Sequence, residues 1–114
     1  EHLIANGYNY DDTITENKIA KAMASTTGWS STPFTGTIGN DQSSNNSSGF
    51  NAFPEGNRSN DGSFNDEGTN AIFWSSIEND TNDAWTRSLY YNNSNLNRSD
   101  YNKRDGFSVR FVRD

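Results

Sequence analysis

Two runs decide the fold, Ala71-Ile72-Phe73-Trp74-Ser75-Ser76 and Ala84-Trp85-Thr86-Arg87-Ser88-Leu89-Tyr90-Tyr91. The first is a compact, aromatic strand candidate. In the second, residues alternate: Trp85, Arg87, Leu89 and Tyr91 share one face, and Thr86, Ser88 and Tyr90 the other. Asn92-Asn93-Ser94-Asn95 reads as a turn, because Asn tolerates the left-handed backbone region. A return strand over Leu96 to Arg98 then completes a hairpin. Phe107, Val109 and Phe111 alternate with Ser108, Arg110 and Val112, which predicts a closing strand. The expected core is Trp29, Phe50, Phe53, Phe64, Phe73, Trp74, Trp85, Leu89, Phe107, Val109 and Phe111.

Upstream, the pattern changes period. Leu3-Ile4-Ala5 ends at Asn6-Gly7, a helix stop in which Gly accepts positive φ. Thr13-Ile14-Thr15-Glu16 fits a capping box, and Ile19, Ala20, Met23 and Ala24 recur at helical spacing. Together they predict a helix over about residues 14–25. From Thr27 to Ser48 the chain is a long polar loop pinned by Trp29, Phe34 and Ile38. Gly49 to Pro54 reads as a short strand, and Asp61-Gly62 and Glu67-Gly68 mark turns. The order of helix, long loops and antiparallel strands predicts a single α+β domain over 1–114. Residues 1–26 form its helical part, 27–70 its loop-rich part and 71–114 its antiparallel strands.

Composition narrows the function. The chain has 114 residues, 30% of them hydrophobic and 13% aromatic, with net charge -6 and mean hydropathy -1.01. A lean chain that is rich in rings fits a folded domain with a small core. It has no cysteine and one histidine, His2 at the N-terminus, so thiol chemistry, Ser–His–Asp catalysis and a multi-histidine metal site are not expected. No enzyme and no membrane insertion are expected. Residues 1–83 carry net charge -9 and residues 84–114 net +3, but the basic residues are dispersed and nucleic-acid binding is not expected. The opening Glu1-His2-Leu3-Ile4 reads like the tail of a helix and points to a fragment or processed form.

The polar face of the last strands is the candidate site. Thr86, Ser88 and Tyr90 are expected outward, joined by Asn93, Asn95, Asn97, Asp100, Tyr101 and Asn102 from the adjacent turn and loop. Tyrosine supplies contact area at low entropic cost, and short amides supply directional hydrogen bonds. No metal ligands and no cofactor are assigned. Asn57-Arg58-Ser59-Asn60-Asp61-Gly62 has the oxygen spacing of a calcium loop, but Gly68 stands where the closing Glu belongs. Glu78 to Asp83 is a second oxygen-rich stretch, and a structural calcium ion stays open. Arg58 and Arg110 are expected to brace structure rather than bind an anion.

Gly49 to Pro54, Gly62-Ser63-Phe64, Phe73 to Ser76, Ala84-Trp85, Leu89 to Ser94 and Gly106 to Arg113 together resemble the Fibrobacter succinogenes major paralogous domain. Ile19-Ala20-Lys21 and Thr27-Gly28-Trp29 resemble it as well. The family is common in surface proteins of Bacteroidetes. The resemblance implies a fold similar to C-type lectins and to the sulfatase-modifying enzymes. Those enzymes act through cysteines, so their activity is not carried over. Members usually begin with strands and a tryptophan-rich stretch ahead of the first helix, so the resemblance implies that the strand pairing the two termini is either missing, which leaves a sheet edge unpaired, or supplied elsewhere. The resemblance implies a non-catalytic ligand-binding or adhesion domain at the cell surface, exported by a signal outside this chain, with a glycan or protein as partner. Two alternatives stand beside it. One is a variable protein of a diversity-generating retroelement, diversified over Asn79 to Asp105. The other is a structural or fimbrial subunit that self-associates through the sheet edge.

Overall fold

The computed structural model describes residues 1–110. Three strands form the main sheet: β3 (Asn70–Glu78), β4 (Asp83–Tyr90) and β5 (Asn97–Asn102), in the order β3-β4-β5. All its pairings are antiparallel, with Ile72 opposite Ser88 and Ser88 opposite Asn97. Between Trp74 and Glu78 the register slips against β4. A minor hairpin joins β1 (Asn57–Arg58) to β2 (Phe64–Asn65). The α-helices are single turns, α1 (His2–Ala5) and α2 (Ala20–Met23), and Gln42–Ser44 forms a 3-10 turn. The chain is therefore mostly β and loop, compatible with the α+β expectation in outline.

The strands read over Ala71 to Ser76 and Ala84 to Tyr91 form as β3 and β4, and the other strand readings are met in part. The β4–β5 hairpin forms, but the return strand begins at Asn97 and runs to Asn102. The closing strand is replaced by two isolated bridges, Gly106 to Arg58 and Ser108 to Phe73. Its Phe111 end lies outside the described residues. Gly49 to Pro54 is likewise reduced to one bridge, Ala52 to Ala24. Phe53 is exposed because it belongs to no ladder, and the solvent-facing β2 carries Phe64, 80% exposed. Val109 is exposed too. These three are not core residues.

The α1 stop forms as expected: Gly7 has φ 80, and the N–H groups of Gly7 and Tyr8 donate to Ile4 and Leu3, which closes a Schellman-type turn. The longer helix does not form before Ala20. Asn9 is the reason. Its Nδ2 donates to Thr13 Oγ1 and to the carbonyls of Thr15 and Glu16, and its Oδ1 accepts from the Lys18 N–H at 3.0 Å. A 3% exposed amide thus supplies the partners that a helical ladder would have supplied. Thr13, expected as a cap, gives its hydroxyl to Asp11 instead, at 2.6 Å. Glu16 sits at φ 64, which a helix excludes.

The buried apolar cluster consists of Ala20, Ala24, Trp29, Ile38, Ala52, Ala71 and Leu89. Ala71 and Leu89 come from one face of the sheet, and the others from α2 and the loops. Phe50 and Phe73 pack against the cluster edge to face at 5.6 Å. Lys21 lies beside it, with its ammonium donating to the carbonyls of Thr37, Asn40 and Asp41. Burial lowers its pKa, and the charge of Asp41 opposes that shift.

Asn9→Ala removes four hydrogen bonds and strands main-chain groups of a partly buried loop. It is expected to cost about 2–4 kcal/mol, read as a lower urea midpoint with unchanged slope.

Candidate functional site

The sheet register sorts the candidate residues. On one face stand Ile72 and Trp74 of β3, Tyr90, Ser88 and Thr86 of β4, and Asn97, Ser99 and Tyr101 of β5. The other face carries Phe73, Leu89, Trp85, Arg98 and Asp100. β4 is central, so both of its faces are covered at the end nearest the core. Thr86 and Ser88 are 0% exposed, and Leu89 is 1% exposed. Thr86 and Ser88 are therefore not part of a displayed surface. Thr86 Oγ1 donates to the Ser99 carbonyl at 2.9 Å, which satisfies it inside the sheet.

What covers this face is the chain after β5. Phe107 folds back over it and lies 4.8 Å from Trp74 and 5.0 Å from Tyr101, centroid to centroid. Beside Phe107 a cleft of about 210 Å³ remains open. Tyr90, Tyr101 and Ile72 come from the sheet, Asn57 and Ser59 from the β1 hairpin, Asp66 from the following turn, and Asp105 from the segment after β5. Asn70 completes the lining. The hydroxyls of Tyr90 and Tyr101 meet at 3.4 Å, and Asn57 Nδ2 donates to Asp66 Oδ2 at 3.2 Å. Asn70 Oδ1 is buried without a hydrogen-bond partner among the described residues.

Hydrogen bonding to Tyr90 pushes the Tyr101 phenol up to about 12, with burial and the charges of Asp105 and Asp66 acting in the same direction. The Tyr101 hydroxyl thus stays protonated throughout the physiological range, and of the two paired hydroxyls the one that accepts keeps a proton free to donate. Among the described residues no cation lines the cleft, so the lining pairs aromatic walls with amides and carboxylates. Such a lining accepts hydrogen bonds from neutral hydroxyls and repels anions.

The remaining candidates are scattered. Asn93 and Asn95 occupy the β4–β5 turn, where the Asn93 carbonyl accepts from Ile38 N–H and Asn95 Nδ2 donates to Asn97 Oδ1. Asp100 faces the opposite side of the sheet and accepts from Asn79 Nδ2 at 2.9 Å. Asn102 Oδ1 accepts from the Arg104 N–H. Only Tyr90 and Tyr101 of the nine expected residues line the cleft. Asn57, Asp66 and Asp105 were missed because they come from three separate segments with no common spacing. Asp105, four residues after Tyr101, had the only local signal.

The other stretches singled out in the sequence are spent on structure. Asp61 Oδ1 accepts from the N–H and hydroxyl of Ser63, and Asp80 Oδ1 from the N–H groups of Asn82 and Asp83. Both are turn motifs. Arg110 donates to the Phe50 carbonyl at 2.7 Å and lies 4.3 Å above its ring. A larger cleft of about 330 Å³ sits near α1 and Lys21, but the Lys21 ammonium there is engaged by carbonyls.

The family model of the Fibrobacter succinogenes major domain matches residues 2–113, and the chain belongs to that family. No curated protein and no solved structure shows a significant match.

Tyr90→Phe removes the main cause of the Tyr101 shift, so the Tyr101 pKa is expected to fall from about 12 towards its ordinary 10.0, read by NMR of labelled tyrosine rings. An unfolded tyrosine ionises near about 10, while the native state holds its proton longer. The contribution is thus complete below pH of about 10 and is lost as pH rises towards 12.

Proposed function

We propose that this member of the Fibrobacter succinogenes major domain family is a non-catalytic, C-type-lectin-like recognition domain. It works outside the cytoplasm and binds a neutral glycan unit of a surface ligand in the Tyr90–Tyr101 cleft. The observation that carries the reading is the pairing of those two hydroxyls beside Asp66 and Asp105 in an open cleft that no cation lines among the described residues. Sugar hydroxyls need fixed acceptors and donors, and sugar ring faces need an aromatic wall. Asp66 and Asp105 supply acceptors, the Tyr90–Tyr101 hydroxyl pair a donor and Phe107 a wall. Asp66 is exposed, as suits a carboxylate that receives hydrogen bonds at a cleft rim.

Two further points support binding over chemistry. The chain has no thiol, and its histidine lies in α1, on an element that does not line this cleft. The reading as a retroelement-diversified surface over Asn79 to Asp105 draws less support, because Thr86 and Ser88 within that stretch are fully buried and leave little freedom for randomised side chains.

A glycan array probed with the intact chain tests the proposal. Neutral glycans are expected to bind in preference to sialylated or sulfated ones. Tyr101→Phe is expected to weaken the best hit about tenfold, roughly one hydrogen bond at 1–1.5 kcal/mol. Arg104→Ala, on an exposed residue outside the cleft, should change nothing. Binding only to anionic glycans, or an unchanged affinity in Tyr101→Phe, would overturn the assignment.

A further inference from the structure

The direction of the main-chain groups can be followed across the sheet. On β3, the Ile72 carbonyl and the Trp74 N–H are taken by Ser108, and the Asn70 carbonyl by Gly56. Even-numbered residues of β3 therefore aim their main-chain groups away from β4. In an antiparallel ladder this alternates residue by residue. Through the registers Ile72–Ser88 and Ser88–Asn97, Asn97, Ser99 and Tyr101 turn theirs towards β4. Arg98 and Asp100 turn theirs outward from the sheet. Leu96 confirms the parity independently: its N–H and carbonyl are both met from outside by the Asn17 side-chain amide, at 3.0 and 2.8 Å. Beyond Leu96, the outward groups of Arg98 and Asp100 have no partner among the described residues.

That open edge is complementary to itself. If a second copy of β5 runs antiparallel with Ser99 opposite Ser99, then Arg98 falls opposite Asp100 twice, once on each side of the two-fold axis. Both are outward-facing residues, so each pair exchanges two main-chain hydrogen bonds, four in all. The guanidinium and carboxylate of each pair also lie on the same sheet face. Arg98 already stacks on Trp85, with its Cζ 3.6 Å from the ring centroid, which holds the cation in place for a partner carboxylate. The neighbouring registers that keep the hydrogen-bonding parity put Arg98 against Arg98 or Asp100 against Asp100, which repel. Asn17 blocks extension past Leu96, so the pairing is short.

We propose that the β5 edge is a homotypic docking site, through which two copies of this chain form a weak, two-fold, six-stranded sheet in the order β3-β4-β5-β5-β4-β3. Association is weak because the contact is small and because each chain carries net charge -6.

Sedimentation of the full chain over a wide concentration range, at near-physiological salt where the general repulsion is screened, reads the association. Wild type is expected to dimerise reversibly, with the Arg98 and Asp100 amides gaining hydrogen-exchange protection as concentration rises. Arg98→Asp alone and Asp100→Arg alone each set like charges opposite one another and are expected to weaken dimerisation at least about tenfold. An equimolar mixture of the two variants places a doubly acidic strand against a doubly basic one and is expected to restore a dimer, now mixed. A monomeric wild type at the highest concentration overturns the proposal. So does equal dimerisation in both variants, or a mixture that stays monomeric while wild type dimerises. Circular dichroism of each variant shows that it is folded, and Arg98 and Asp100 expend no main-chain bond on β4, so neither substitution breaks the ladder.

Discussion

Side-chain amides standing in for strand and helix partners are the constraint on which this domain rests. Asn9 meets four groups of the loop between α1 and α2. Asn17 brackets the main chain of Leu96. Gln42 does the same for Trp29, accepting from its N–H at 3.0 Å and donating to its carbonyl at 2.9 Å. Asn45 donates to the carbonyls of Ser25 and Ile38. A buried main-chain group left unpaired costs about 1–3 kcal/mol. Among the described residues the regular structure is two single-turn α-helices, one 3-10 turn, a two-stranded hairpin and a three-stranded sheet, which cannot pair most of the loop backbone, and these amides complete the pairing.

The abundance of asparagine then has two distinct uses. Most of it is structural, which is why a polar, Asn-rich segment is poor evidence for a binding surface by itself. Asn57 and Asn70 stand instead where separate segments converge on one face of the sheet. There Phe107 closes over Trp74 and Tyr101, and the cleft beside it is defined as much by the returning chain as by the strands. The opposite face holds Trp85, Arg98 and Asp100, and the free main-chain groups of β5 lie at its edge. The cleft and the β5 edge thus use different groups of one small sheet, and neither depends on the other.

Some of this was legible in the residues and some was not. The β4 alternation was read correctly, with Trp85 and Leu89 on one face and Thr86, Ser88 and Tyr90 on the other. The inference that one face was wet and the other dry failed. β4 lies between two neighbours and under the chain that follows β5, so hydroxyls at Thr86 and Ser88 are enclosed despite their polarity. The helix over 14–25 failed for a comparable reason. Its apolar spacing and cap were present, but Asn9 offered the same backbone a competing set of partners from outside the helical window.

Local chemistry alone established the lean composition, the turn at Asn92 to Asn95, the α1 stop at Gly7 and the period-two pattern of the central strand, since each depends on a residue and its near neighbours. The cleft, the burial of Thr86 and Ser88, the exposure of Phe53, Phe64 and Val109, and the outward parity of Arg98 and Asp100 came only with the tertiary structure. These depend on which distant segment arrives on which side of a strand, and period-two alternation separates the two faces of a strand without saying what will cover either one.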